Sequence, residues 1–90
     1  MNRTKINLKA NKEIKKQIDK KQIYFCEACG KIFRWLTVAH RHKRTYYYDK
    51  SDKLLWNYKQ WIVACIHCHE KMEEDKELTE KIFLELRGKE

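Results

Sequence analysis

Two cysteine pairs constrain this chain more than anything else in it. Cys26 with Cys29 and Cys65 with Cys68 form two CxxC motifs, and residues 30–64 lie between them. Each CxxC bends tightly enough for both sulfurs to reach one tetrahedral ion at about 2.3 Å, so the four thiolates make a soft donor set that suits zinc. In a chain of 90 residues, near the size where one apolar core holds only marginally, such a staple stabilises the fold by many kcal/mol. Four thiolates leave no open position, so the zinc is expected to be structural. Gly30 follows the second sulfur of the first pair, where the knuckle has to turn sharply. A thioredoxin-like redox role would need the motif at the head of a helix in a βαβ unit, and the sequence carries no such pattern.

The formal net charge is +8, and it is unevenly spread. Residues 1–23 carry eight Lys/Arg against Glu13 and Asp19, a balance of +6. Residues 24–69 carry eight against Glu27, Asp49 and Asp52 (+5), and residues 70–90 carry five against eight acidic (−3). A basic front of this kind attracts phosphate backbones through counterion release. The plainer reading is a lysine-rich solvated surface. The start, "MNRTKINLKANK", has no apolar core of a signal peptide, and reduced thiols fit a cytoplasmic protein. No apolar run approaches the roughly 20 residues of a membrane span, so no membrane partner is expected.

Along the chain, residues 1–23 read as a basic N-terminal helix or arm. Ile14 and Ile18 lie one turn apart, with Ile6 and Ile23 at the edges. Residues 24–90 then form the zinc-bound domain. In "YFCEACGKIFRWLTVAHRHKRTYYY" the alternation of Leu36, Val38, His40 and His42 predicts strands on either side of His40, after a turn at 26–30. The same alternation puts one or two of Tyr46, Tyr47 and Tyr48 in the core. Trp35, Trp56 and Trp61 are expected to be core residues, because so small a domain needs their area. Residues 49–53 read as a loop. After Cys65 a helical pattern runs through Met72, Leu78, Ile82 and Leu86, with Phe83 beside them and Gly88 as a stop.

Half of the four histidines fall in "VAHRHKR", residues 38–44, and the other two, His67 and His69, flank Cys68. The order "CEAC", "LTVAH", "WNYKQWIVA", "CIHCHEK", over about residues 24–75, resembles the zinc-containing HNH endonucleases. The resemblance implies an α+β fold: a small zinc-stapled ββα-metal domain, here with a basic N-terminal helix and a C-terminal amphipathic helix. It implies that His40 is the general base that deprotonates the attacking water, a role suited to a neutral imidazole. It also implies that His69 helps hold Mg²⁺ or Mn²⁺ against the scissile phosphate, so that a phosphodiester bond is hydrolysed.

For the middle motif residue, usually asparagine, Asn57 has the matching side chain and Gln60 the better spacing to Cys65. Where many family members place a metal-ligating Asp or His just before the base, this chain has Ala39. His42 could compensate as a ligand from the same side of the strand, His69 could hold a hydrated ion largely alone, or the catalytic metal could have been lost. Arg41, Lys43 and Arg44, with Arg34, would clamp a nucleic-acid backbone. The implied function is a metal-dependent endonuclease acting on DNA, in the cytoplasm of a bacterial or phage-infected cell. The alternative is a non-catalytic zinc module that keeps the fold and binds nucleic acid or protein, and the acidic C-terminal helix is a further candidate for protein contact.

Overall fold

The computed structural model describes residues 3–90; the first two residues of the basic N-terminal segment lie outside it. Five α-helices and a two-stranded antiparallel sheet make an α+β fold. The first helix, α1 (Arg3–Lys21), carries Ile6, Ala10 and Ile14 on its buried side. That spacing of four repeats the stripe legible in the sequence, with Ala10 letting the helix approach closely. It ends where Gln22 takes φ 57° and the Ile23 amide donates back to the Ile18 carbonyl at 3.1 Å, the geometry of a Schellman cap.

Strands β1 (Thr37–His40) and β2 (Trp61–Ala64) pair from Thr37 with Ala64 to His40 with Trp61. Because side chains alternate across a strand, the sheet serves two cores. Ala39, Ile62 and Ala64 join Cys26, Cys65, Met72 and Phe83. Trp61 and Val63 meet Ile14 and Ile23. β2 is buried at all four positions, which fits its unbroken apolar run "WIVA".

The chain departs from the expected strand immediately after His40. Arg44–Tyr47 forms a single helical turn, α2, and Asp52–Leu55 another, α3, before one 3₁₀ turn at Tyr58–Gln60. Residues 49–53 are therefore a loop only in part. Tyr47 and Leu55 pack on Ile6 and Ala10 of α1, so burial against that helix overrides the β propensity of the tyrosines. Of the three tryptophans, Trp61 is fully buried and Trp56 half-buried, but Trp35 is 71% exposed, against expectation.

The C-terminal helical pattern is two helices, α4 (Ile66–Glu74) and α5 (Lys76–Arg87). Asp75 breaks it, and its carboxylate caps α5 by accepting from the Leu78 amide at 3.1 Å. The corner is pinned by the Thr79 hydroxyl, which donates to the Met72 carbonyl at 2.6 Å. Gly88 closes α5 at φ 80°, its amide bonding Phe83 and Leu84 carbonyls.

Candidate metal centre and histidine cleft

The first CxxC is a knuckle held by its own backbone. The Gly30 amide donates to the Cys26 carbonyl at 2.7 Å, the Cys26 amide to the Lys31 carbonyl at 2.9 Å, and the Cys29 amide points at the Cys26 sulfur at 3.5 Å. Gly30 sits at φ +76°, a left-handed conformation that side chains rarely adopt. The second pair spans the N-cap and first turn of α4, with Cys65 at the cap. The fold thereby brings the sulfurs of Cys26, Cys29, Cys65 and Cys68 within 4.8 Å of one another. Around a tetrahedral ion with 2.3 Å bonds they would sit about 3.8 Å apart, so the cluster could hold a metal ion and is consistent with structural zinc.

The thiol acidities are consistent with a cation site. Burial alone would push Cys26 up, but the amides of Cys65, Cys29 and Ala28 outweigh it and bring the thiol down to about 7. Burial pushes the Cys68 thiol up to about 12, helped by its hydrogen bonds with Cys65, Cys26 and Cys29 and by the charge of Cys26. Crowded sulfurs cannot all ionise on their own, whereas a dication deprotonates its thiol ligands outright.

A second set of contacts, absent from the sequence reading, ties the knuckle to the far end of the chain. The Glu27 amide donates to the Val63 carbonyl at 2.8 Å, and its carboxylate accepts from the Val63 amide at 2.9 Å. The same carboxylate takes both terminal nitrogens of Arg87 at 2.8 Å each. Arg87 also donates to the Tyr58 carbonyl at 2.9 Å and lies 3.8 Å over the Tyr58 ring. The only sequence signal was spacing: Thr79, Phe83 and Arg87 are the buried row of α5, one position beyond the half-buried apolar row Leu78, Ile82 and Leu86.

Beside the cluster, β1 and α4 border a cleft of about 790 Å³ whose lining includes His40, His42, His69 and Glu73. His40 and His69 reach it with opposite ends of their rings committed. The Nε2 of His40 lies 3.0 Å from the Leu55 carbonyl. A carbonyl only accepts, so Nε2 carries the proton and Nδ1 keeps its lone pair. For His69, Nδ1 lies 2.7 Å from the Thr37 hydroxyl, whose own proton goes to the Ala64 carbonyl at 2.8 Å. Thr37 therefore accepts from Nδ1–H, and Nε2 faces a Glu73 carboxylate oxygen at 3.2 Å. Burial lowers the His40 pKa from 6.5 to about 4; the Leu55 carbonyl opposes this, and the positive charge of Arg44 adds to it.

The remaining expected site residues sit as follows. His42 lies beyond the end of β1, so strand alternation does not set its direction. Its ring packs on Tyr46 with centroids 4.0 Å apart, and its Nε2 meets a Glu90 carboxylate oxygen at 2.7 Å. Neither competitor for the middle motif position lines the cleft. Gln60 is buried, accepting from the Tyr47 hydroxyl and donating to Glu90, and Asn57 caps the 3₁₀ turn through the Lys59 amide. Ala39 is 2% exposed in the apolar core.

Arg41, expected to clamp phosphate, is 5% exposed and instead donates to the Gly88 carbonyl at 2.9 Å and to Glu80 at 3.2 Å. Its buried Nε has no hydrogen-bond partner. Lys43, Arg44 and Arg34 are exposed; Arg44 bonds Asn7 at 2.7 Å, and Arg34 lies over the Trp35 ring at 5.6 Å. Among the described residues, no helix is long and apolar enough to cross a membrane. Comparisons of the chain with protein families, with curated proteins and with solved structures give no match.

Proposed function

We propose that the cleft is the site of a metal-dependent endonuclease of the HNH type, hydrolysing phosphodiester bonds of DNA beside a structural zinc. The observation that carries this reading is the pair of imidazoles anchored by opposite ring nitrogens, His40 through Nε2 and His69 through Nδ1, lining one cleft. One free lone pair suits a base and the other suits a ligand.

In this reading His69 would hold the divalent ion, Mg²⁺ or Mn²⁺, which supplies charge neutralisation at the scissile phosphate and the departing 3′ oxygen. His40, kept neutral by burial, accepts a proton from the attacking water at Nδ1. The water oxygen bonds to phosphorus as the bond to the 3′ oxygen breaks; the 3′ oxygen takes a proton from solvent, leaving a 5′ phosphate and a 3′ hydroxyl. The Leu55 carbonyl orients His40 as Thr37 orients His69, holding each ring in one tautomer. Lys43 and Arg44 beside the cleft provide positive charge for the backbone, in place of the buried Arg41. Ala39 and the absence of Asn57 and Gln60 from the cleft favour the second reading, a zinc-stapled module that binds nucleic acid without cutting it.

The test is cleavage of supercoiled and linear plasmid by zinc-loaded protein, with and without Mg²⁺ or Mn²⁺, beside His40→Ala. The nuclease requires the added ion and loses a factor of about 10²–10⁴ in rate in the variant. Absence of cutting, with binding that falls steeply with salt, would assign the binding module instead.

A further inference from the structure

If His69 holds a divalent ion, a single neutral imidazole is a weak site for a hard cation, which prefers oxygen donors and negative charge. The acidic strand ligand of the family pattern is missing at Ala39, and its surroundings explain why. Ala39 packs with Ile62, Met72 and Phe83, where a carboxylate would be desolvated without a partner. An anionic ligand has to come from elsewhere.

We propose that Glu73, one helical turn after His69 on α4, is that ligand, so that the ion is held by a His–Glu pair on one helix face. The proposal rests on the metal-dependent reading of the cleft. The Oε1 of Glu73 lies 3.2 Å from Nε2 of His69. With Nδ1–H of His69 spent on Thr37, Nε2 is the ring nitrogen turned to the Glu73 carboxylate and to the cleft. A positive charge belongs between the two, supplied by a proton on Nε2 or by a divalent ion in its place, and Mn²⁺ binding distinguishes them. Cis ligands on an octahedral ion with bonds of 2.0–2.1 Å lie about 3 Å apart, close to the observed separation.

Glu73 is also the one acidic side chain lining the cleft that is not held elsewhere: Glu80, the other, is paired with Arg41. Its side chain is 71% exposed, leaving room for water to complete the coordination shell, as Mg²⁺ prefers. The His–Glu pair shares α4 with the Cys65–Cys68 motif, so the zinc staple orders the helix that presents it.

Mn²⁺ binding followed by electron paramagnetic resonance separates the possibilities without using activity. The proteins are zinc-loaded wild type, Glu73→Gln, His69→Ala and His40→Ala, each checked for native far-ultraviolet dichroism. Wild type is expected to bind one Mn²⁺, Glu73→Gln and His69→Ala to bind at least tenfold more weakly, and His40→Ala to bind within twofold of wild type. Wild-type affinity in Glu73→Gln alongside weakened His69→Ala would overturn the role of Glu73 and leave the metal site standing. No Mn²⁺ bound by wild type would overturn the metal-dependent reading and this inference with it.

Discussion

The cysteine knuckle and the histidine cleft are built to different standards. At the Thr37–Ala64 end the cysteine knuckle is fixed many times over: four convergent sulfurs, reciprocal bonds between Glu27 and Val63, and a two-pronged Glu27–Arg87 pair. In the cleft between β1 and α4 the polar groups are less fully committed. His40 bonds through one ring nitrogen, the second nitrogen of His69 meets only the exposed Glu73 carboxylate, and Arg41 Nε has no partner. Satisfied polar networks hold a shape, whereas open valences in a cleft are where a ligand can gain binding energy. The contrast separates scaffold from site.

The largest test of the scaffold is removal of the metal ion that the four cysteines could hold. Chelation, or Cys26→Ser, should abolish cooperative folding, because structural zinc contributes about 10–16 kcal/mol, as much as the whole stability of an ordinary domain. Loss of helical dichroism on chelation, restored by Zn²⁺, is the readout; a chelated protein that kept its melting transition would remove zinc from the account. Next comes the Glu27–Arg87 clip. Its side chains are 8% and 1% exposed, so Glu27→Gln leaves a guanidinium buried without its counter-charge and should cost about 3–5 kcal/mol in denaturant melts. A cost under 1 kcal/mol would show that the clip is not structural.

The cleft end makes a prediction with pH. His40 has its pKa lowered from 6.5 to about 4, so between those values the unfolded chain takes up a proton that the native protein does not. Stability is therefore full above pH 6.5 and declines as pH falls toward 4. Melting temperatures across that range should fall more steeply in wild type than in His40→Gln, and parallel slopes would contradict burial of a neutral ring. Smaller still is the knuckle turn. Gly30→Ala meets no atom within 4 Å but keeps φ at +76°, so it should cost about 1–2 kcal/mol through backbone conformation alone.

Much of the scaffold was legible because it is written in local pattern. The cysteines announce themselves by spacing, Ile14 and Ile18 by the helical turn between them, and Gly88 by its position after an amphipathic run. What failed depended on partners far away in sequence. Arg41 reads as surface charge until Glu80 and the Gly88 carbonyl arrive from α5 to bury it. Tyr46 and Tyr47 read as strand until α1 offers Tyr47 a surface as a helical turn. Trp35 reads as core by its size, yet no element covers it. Asp75 was readable in hindsight, since an aspartate three residues before Leu78 is an N-cap signal. His40 and His69 could be picked from the chain, but their tautomers could not, because these depend on Leu55 and on Thr37 bonded to Ala64.

Long-range ¹H–¹⁵N correlation of the zinc-loaded protein near neutral pH observes those tautomers directly. The expected spectrum has His40 protonated at Nε2 and His69 at Nδ1, with Thr37→Val releasing only His69 from its assignment. Finding both rings in the same tautomer would contradict the opposed arrangement from which the base and ligand roles are drawn.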